Sequence, residues 1–225
     1  MKKRYFIAGT DTDVGKTYVS VGLLNAAARK GLRVLGLKPI AAGAELVDGS
    51  LRNEDALLLH GASNVKVSYE QVNPVVLEQA IAPHIAASLA GRLITASRLE
   101  GFLKGSLLMP HDFALVEGAG GWRVPLNDRE SLSDLACALG FPVIMVVNMK
   151  LGCLNHAILT AEAIHRDGLN LVGWVANTPQ EAPMPYYQEN LASLQAALTS
   201  PLLAELPWQP NDPQGAAFDA LFEAL

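Results

Sequence analysis

The residues most able to do chemistry lie in Gly-Thr-Asp-Thr-Asp-Val-Gly-Lys-Thr, positions 9 to 17. The segment ends in the Gly-Lys-Thr of a phosphate-binding loop, but five residues separate Gly9 from Gly15 where the common pattern has four. Gly15 would let backbone N–H groups approach phosphate oxygens, helped by the positive end of the following helix. Lys16 would bring a point charge to the β- and γ-phosphates, and Thr17 a hydroxyl to Mg²⁺. A glycine-rich turn capped by Thr17 is the plainer reading. Asp11 and Asp13 sit awkwardly in such a loop, because a carboxylate about 4 Å from a phosphate is repelled by ~1 kcal/mol even in water. They must face away from the phosphates, toward a metal, a cationic partner or solvent.

Four further groups share this chemistry. Glu117 ends an apolar run and precedes Gly118, Gly120 and Gly121, the place of a carboxylate that holds Mg²⁺ directly or through water; an exposed acid at a strand end is the alternative. Asp55 in Leu-Arg-Asn-Glu-Asp-Ala is either a helix cap or a third hard oxygen for that ion. Lys38, before Pro39, would point into a ligand crevice or lie on the surface. Leu-Gly-Cys-Leu-Asn, 151 to 155, opens a helix whose free N–H groups suit an anion, unless Asn155 simply caps it. The five histidines have no metal-ligand spacing.

Five apolar runs must position these groups: 5–9, 33–40, 113–118, 143–148 and 171–177. Their continuity predicts strands buried on both faces. Amphipathic helical stretches lie between them. The first carries Val19, Leu23, Leu24 and Ala27 on one face and stops at Gly31; another carries Ile158, Ala161 and Ile164 and stops at Gly168. Strand–helix alternation predicts an α/β fold, a doubly wound, mostly parallel sheet flanked by helices. Ligands bind such sheets beyond the carboxyl ends of the strands, and every polar motif above falls there. No internal linker interrupts residues 1–225, which predicts one α/β domain. The proline-rich stretch 178–185 reads as a surface loop.

The composition narrows the function classes. Half of the 225 residues are hydrophobic and 17% are charged, enough for a full core. A net charge of -5 without a basic run argues against nucleic acid as partner. The apolar part of Met-Lys-Lys-Arg-Tyr-Phe-Ile-Ala is too short for a signal peptide and no run is long enough to span a bilayer, so a cytoplasmic protein is expected. Cys137 and Cys153 form no CxxC and read as reduced thiols.

In order along the chain stand GTDTDVGKT, GLKPIAAG, LRNEDA, VNPVVL, APH, VEGAGGW, LGCLNHA, GWVANT and ELPW. This series resembles the dethiobiotin synthetase family over nearly the whole chain. The nine-residue loop and VEGAGGW are specific to that family. The resemblance implies a homodimer of P-loop NTPase type. It also implies ATP- and Mg²⁺-dependent joining of CO₂ to 7,8-diaminononanoate, with closure of a cyclic urea through carbamate and carbamic-phosphate intermediates. It places ATP phosphates on Asp13, Val14, Gly15, Lys16, Thr17 and Tyr18, and Mg²⁺ on Thr17, Asp55 and Glu117. Lys38 and Lys16 become the catalytic cations. Glu117, Gly118, Ala119 and Gly120 line the nucleotide. Asn177, with Thr178, reads adenine, and Pro207, Trp208 and Gln209 close over it. Thr12, Lys38 and Ala42 face the diamine. Gly152, Cys153, Leu154 and Asn155 take its carboxylate from the neighbouring subunit. Ala42 stands where the family often has Ser, APH replaces the more usual SPH, and Asn190, with Tyr186 or Tyr187 a turn away, stands near the place of a substrate-contacting Tyr. Two readings on related folds compete with this one: a switch ATPase, whose loop carries an early second lysine absent from Thr10 to Val14, and an amide ligase, which needs a glutamine-handling domain.

Overall fold

The computed structural model describes residues 2–208, 213 and 215–225. The chain runs β1 (Lys3–Gly9), α1 (Lys16–Arg29), β2 (Val34–Leu37), β3 (Ile40–Ala42), β4 (Glu45–Val47), β5 (Ser50–Arg52), α2 (Glu54–Ala62), α3 (Tyr69–Val72) and β6 (Val75–Leu77). It continues through α4 (Pro83–Leu89), α5 (Ala96–Ser106), β7 (Phe113–Glu117), α6 (Leu132–Leu139), β8 (Val143–Asn148), α7 (Cys153–Arg166), β9 (Leu171–Asn177), α8 (Tyr187–Ala197), β10 (Leu202–Leu206) and α9 (Ala216–Glu223).

Six parallel strands form the main sheet in the order β10-β9-β8-β1-β7-β2. Alternate residues of each strand feed two cores, as the period of two requires. Val143, Met145 and Val147 of β8 belong to the core shared with α4 to α8, whereas Ile144 and Val146 belong to the core shared with α1 and α9. Both sets are fully buried, and each such side chain contributes about 1.5–3 kcal/mol of hydrophobic stabilisation. α1 stops where its pattern does. Gly31 takes φ 79, its N–H reaches the Ala28 carbonyl, and Leu32 N–H reaches Ala27, a two-bond C-terminal cap that needs a left-handed residue.

Two expectations need correcting. The apolar run 33–40 is not one strand: β2 ends at Leu37, the Lys38 N–H turns to the Val72 carbonyl, and Ile40 opens β3, which pairs with β6 in a separate two-stranded sheet. Pro39 has no N–H to continue the ladder. The sixth strand, β10, is not foreseen. It lies at the sheet edge, half-exposed except for Leu206, so its sequence lacks the continuous apolar character of its neighbours. Residues 178–186 form a loop, as expected. Among the described residues no helix is long and apolar enough to cross a membrane.

Candidate active site

The sheet delivers the chemistry to one end. β1 stops at Gly9, the loop crosses to Gly15, and α1 opens at Lys16. Gly15 is the N-cap at φ 91, and a Cβ there would meet Asn177 Nδ2 at 2.1 Å. That amide, at the end of β9, donates to the Val14 carbonyl at 2.8 Å and buttresses the loop from beneath. Val14 is wholly buried, a core residue whose backbone forms the loop. The Tyr18 ring packs edge-on to Phe218 of α9 at 5.2 Å.

Parallel register then sets the second group beside the first. Leu37 of β2 pairs with Val116 of β7, so Lys38 and Glu117 follow side by side. Lys38 Nζ donates to Glu117 Oε1 at 2.6 Å, to Asp55 Oδ2 at 3.0 Å and to the Gly118 carbonyl at 3.2 Å. Thr17 Oγ1 donates to the same Glu117 oxygen at 2.8 Å. Glu117 is thus no exposed strand-end acid, and Lys38 is no surface lysine; both are buried. Asp55 does not cap α2. Asn53 does, accepting from the Ala56 N–H and donating to the Ala42 carbonyl. The sequence signal was present in Asn53 followed by two acids in the first turn. With the cap supplied, Asp55 turns its carboxylate to Lys38.

Charge and burial oppose each other here. Burial disfavours the Lys38 ammonium, but the Glu117 and Asp55 carboxylates outweigh it and hold Lys38 above the usual lysine range. Asp55 is also partly desolvated, yet Lys38 holds it below the usual carboxylate range. Lys16 has no such partners. Burial, with the Lys38 charge nearby, pushes its pKa down to about 8 against weaker pulls from Glu117, Asp55 and Asp13. Its Nζ donates to the Asp11 carbonyl at 3.1 Å.

The two loop acids separate. Asp11 accepts from the Thr12 N–H and lies 3.5 Å from Lys150 Nζ. The Thr12 amide, with Lys150 behind it, holds its carboxyl below the ordinary range. Lys150, just before α7, was not singled out from the sequence. Asp13 adopts φ 55 and lines the cleft.

That cleft has a volume of about 910 Å³. Thr12, Gly15, Lys16, Thr17, Lys38, Ala42, Asp55, Ala119 and Gly120 line it. Ala80 to Pro83 and Arg123 to Pro125 also line it; of these the sequence marks only Ala82 and Pro83, in APH. Arg123 is not free for a ligand: its guanidinium holds Asp167 at 2.7 Å and Ser133 at 2.9 Å. Trp122 donates to the same Asp167 and packs edge-on to Phe6, so this pair clamps the segment after β7 to the sheet.

Other residues from the sequence reading lie outside the cleft of this chain. Thr178 follows β9, its N–H bound to the Leu206 carbonyl, and Pro207 and exposed Trp208 follow β10. Gln209 lies outside the described residues. Gly152 caps α7 with no side-chain bond, so Asn155 is not its cap; Leu154 is half-buried and Asn155 exposed. Cys153 is buried, which raises its thiol pKa, and both cysteines are free. Asn190 donates to the Tyr186 carbonyl on α8, and Tyr187 bonds Glu205.

The donor set around Lys38 suits Mg²⁺. It consists of hard oxygens, and Glu117 Oε2 is buried with no hydrogen-bond partner. Among the described residues no three His, Cys, Asp or Glu cluster. A cation with few protein ligands, completed by phosphate and water, matches that sparseness.

The chain is similar to known proteins over most of its length. A family model described as an AAA domain matches residues 3–212. ATP-dependent dethiobiotin synthetase BioD of Cellvibrio japonicus is 58% identical over 92% of this chain and 90% of its own length. The protein of the same name from Marinobacter nauticus is 51% identical over 93% and 90%. Among solved structures, the septum site-determining protein MinD complexed with Mg-ADP, from Pyrococcus horikoshii OT3, superposes with TM-score 0.60 at 22% identity, covering 99% of this chain and 95% of that one. The last likeness establishes the P-loop NTPase fold alone. The matched length and identity of the first two establish that the chain belongs to the ATP-dependent dethiobiotin synthetase family.

Proposed function

We propose that this cleft makes dethiobiotin by joining CO₂ to 7,8-diaminononanoate at the expense of ATP, a step of biotin biosynthesis, in a cytoplasmic homodimer. The observation that carries the reading is the meeting of Lys38, Thr17, Asp55 and Glu117 beside the loop of Lys16.

In this reading one substrate amine forms a bond to CO₂ and loses a proton, giving a carbamate. A carbamate oxygen attacks the γ-phosphorus as the bond to ADP breaks. The second amine then attacks the carbamoyl carbon, inorganic phosphate leaves, and a second proton is lost as the ring closes. The chain contributes position and charge rather than covalent chemistry. Backbone amides from Asp13 to Tyr18 cradle phosphate oxygens at the start of α1. Lys16 and Lys38 offset the anionic charge of the carbamate and the phosphoryl group in transfer. Thr12 and Ala42 bound the diamine. Thr17, Asp55 and Glu117 would hold Mg²⁺, which supplies charge neutralisation on the phosphates when bound. Asn177 and Thr178, with the segment from Pro207, serve the base. The start of α7, Gly152 to Asn155, would take the substrate carboxylate in the cleft of the partner subunit. The exposure of Gly152 and Asn155, neither of which lines the cleft of its own chain, supports that assignment.

The test is phosphate release from ATP by the purified protein. Release is expected only when diaminononanoate and bicarbonate are both present. Steady hydrolysis indifferent to both would refute the ligase reading. Lys38→Ala that folds is expected to bind ATP and lose turnover.

A further inference from the structure

In this structure Lys38 has no hydrogen left for a substrate. An ammonium has three N–H donors, and Glu117, Asp55 and the Gly118 carbonyl take all three. Glu117 and Asp55 are also the two carboxylates to which the metal was assigned. We propose that Lys38 and the divalent cation are alternative occupants of one carboxylate nest, so that metal loading expels the Lys38 ammonium into the cleft. The inference rests on the reading of Thr17, Asp55 and Glu117 as metal ligands.

Three features support the exchange. The first is charge: two cations on the same carboxylates repel each other, and at the buried Lys38–Glu117 end little water screens them. The second is the hydroxyl of Thr17, which donates to the same Glu117 oxygen as Lys38. That crowds two donors on Oε1 while buried Oε2 has none, so the nest is satisfied unevenly by lysine and has an oxygen in reserve. The third is mechanical. The Lys38 N–H is held by the Val72 carbonyl at 2.8 Å, and its own carbonyl by Asn73 Nδ2 at 2.6 Å. The backbone is pinned, so release is a swing of the side chain about a fixed root. The small side chains of Ala41 and Ala42 leave room for that swing along the cleft wall.

The consequence is an order of events. Without metal, Lys38 keeps the carboxylates paired and stays withdrawn. With metal in place, its three donors become available to an anion, where the carbamate and the phosphoryl group would lie. The metal would then supply a second reactant-facing cation besides itself.

The experiment titrates Mn²⁺ into nucleotide-free protein and reads free Mn²⁺ by electron paramagnetic resonance, so no turnover is involved. Lys38→Met is expected to bind Mn²⁺ at least about tenfold more tightly than wild type, and Glu117→Gln to lose binding. Lys38→Met binding no better than wild type, while Glu117→Gln still abolishes binding, overturns the exchange and leaves the ligand set standing. Undiminished binding by Glu117→Gln overturns the ligand set and the exchange together. Because Lys38→Met removes a buried partner of Glu117 and could fail to fold, a second measurement uses wild type. Reductive methylation, mapped by mass spectrometry, is compared for the ADP complex with and without Mg²⁺. Labelling of Lys38 is expected to rise several-fold with Mg²⁺, and unchanged or reduced labelling contradicts the proposal.

Discussion

The contact between Gly15 and Asn177 yields a prediction whose size follows from the structure. In Gly15→Ala the new Cβ would lie 2.1 Å from Asn177 Nδ2, on a backbone at φ 91. A left-handed conformation costs an L residue roughly 1–2 kcal/mol. Relief of the collision must move Asn177, which breaks its 2.8 Å bond to the Val14 carbonyl in a fully buried setting. An unsatisfied buried group costs about 1–3 kcal/mol more. The sum, about 2–5 kcal/mol, lowers the melting temperature by something on the order of 10 °C in a chain of this size. Gly31 provides the control. It has φ 79, but nothing lies within 4 Å of its Cβ position. Gly31→Ala therefore meets only the backbone term, a loss of roughly 2–8 °C. The two variants differ more sharply in ligand binding. Val14 belongs to the phosphate loop, so the part of the Gly15→Ala penalty that distorts it weakens ATP binding by tenfold or more at about 1.4 kcal/mol per decade. Gly31→Ala leaves binding unchanged. Thermal unfolding and calorimetric titration with ATP measure both. Wild-type ATP affinity in Gly15→Ala, or equal losses of stability in the two variants, would refute the assignment of Asn177 as a prop for the loop.

Two further outcomes can be checked. Lys16 has a pKa of about 8 in the folded chain against 10.5 for an unperturbed lysine; with its ammonium on phosphate as proposed, ATP affinity is nearly full at about pH 7, falls to about half near pH 8 and is roughly tenfold lower at about pH 9. Lys16→Arg, which keeps its charge, flattens that slope in the same titration. Between those two values the unfolded chain holds the extra proton, so this group makes stability rise with pH across the window, measurable by denaturant unfolding. Asn53→Ala removes the cap of α2 and the bond to Ala42. It should cost about 1–2 kcal/mol and lower the melting temperature by roughly 2–8 °C; Mn²⁺ binding should weaken with it, because Asp55 loses its fixed place.

What was readable in the sequence was local. Gly-Lys-Thr between an apolar run and an amphipathic stretch is a phosphate loop because its neighbours dictate strand and helix within one turn of it. The glycines that stop α1 and α7 declare themselves in the same way. β10 gives no signal because an edge strand buries little, and the sequence leaves Asp55 open between helix cap and metal ligand because Asn53, two residues earlier, competes for the cap. Lys150, 139 residues from Asp11, stands beside that loop acid, and no local pattern announces the contact.

The sequence by itself carries the phosphate loop, the chain order of the five apolar runs and the ordered motifs that resemble the dethiobiotin synthetase family. Tertiary structure alone decided how the lysines differ. Lys38 lies 17 residues from Asp55 and 79 from Glu117; parallel register sets it beside Glu117, and the first turn of α2 brings Asp55 within hydrogen-bond reach. Lys16, on the adjoining helix, is buried with no carboxylate of the described residues in contact, so its charge is poorly held where that of Lys38 is locked in place. No local propensity encodes that contrast, because it depends on which charges the sheet places side by side and how much water it excludes from them.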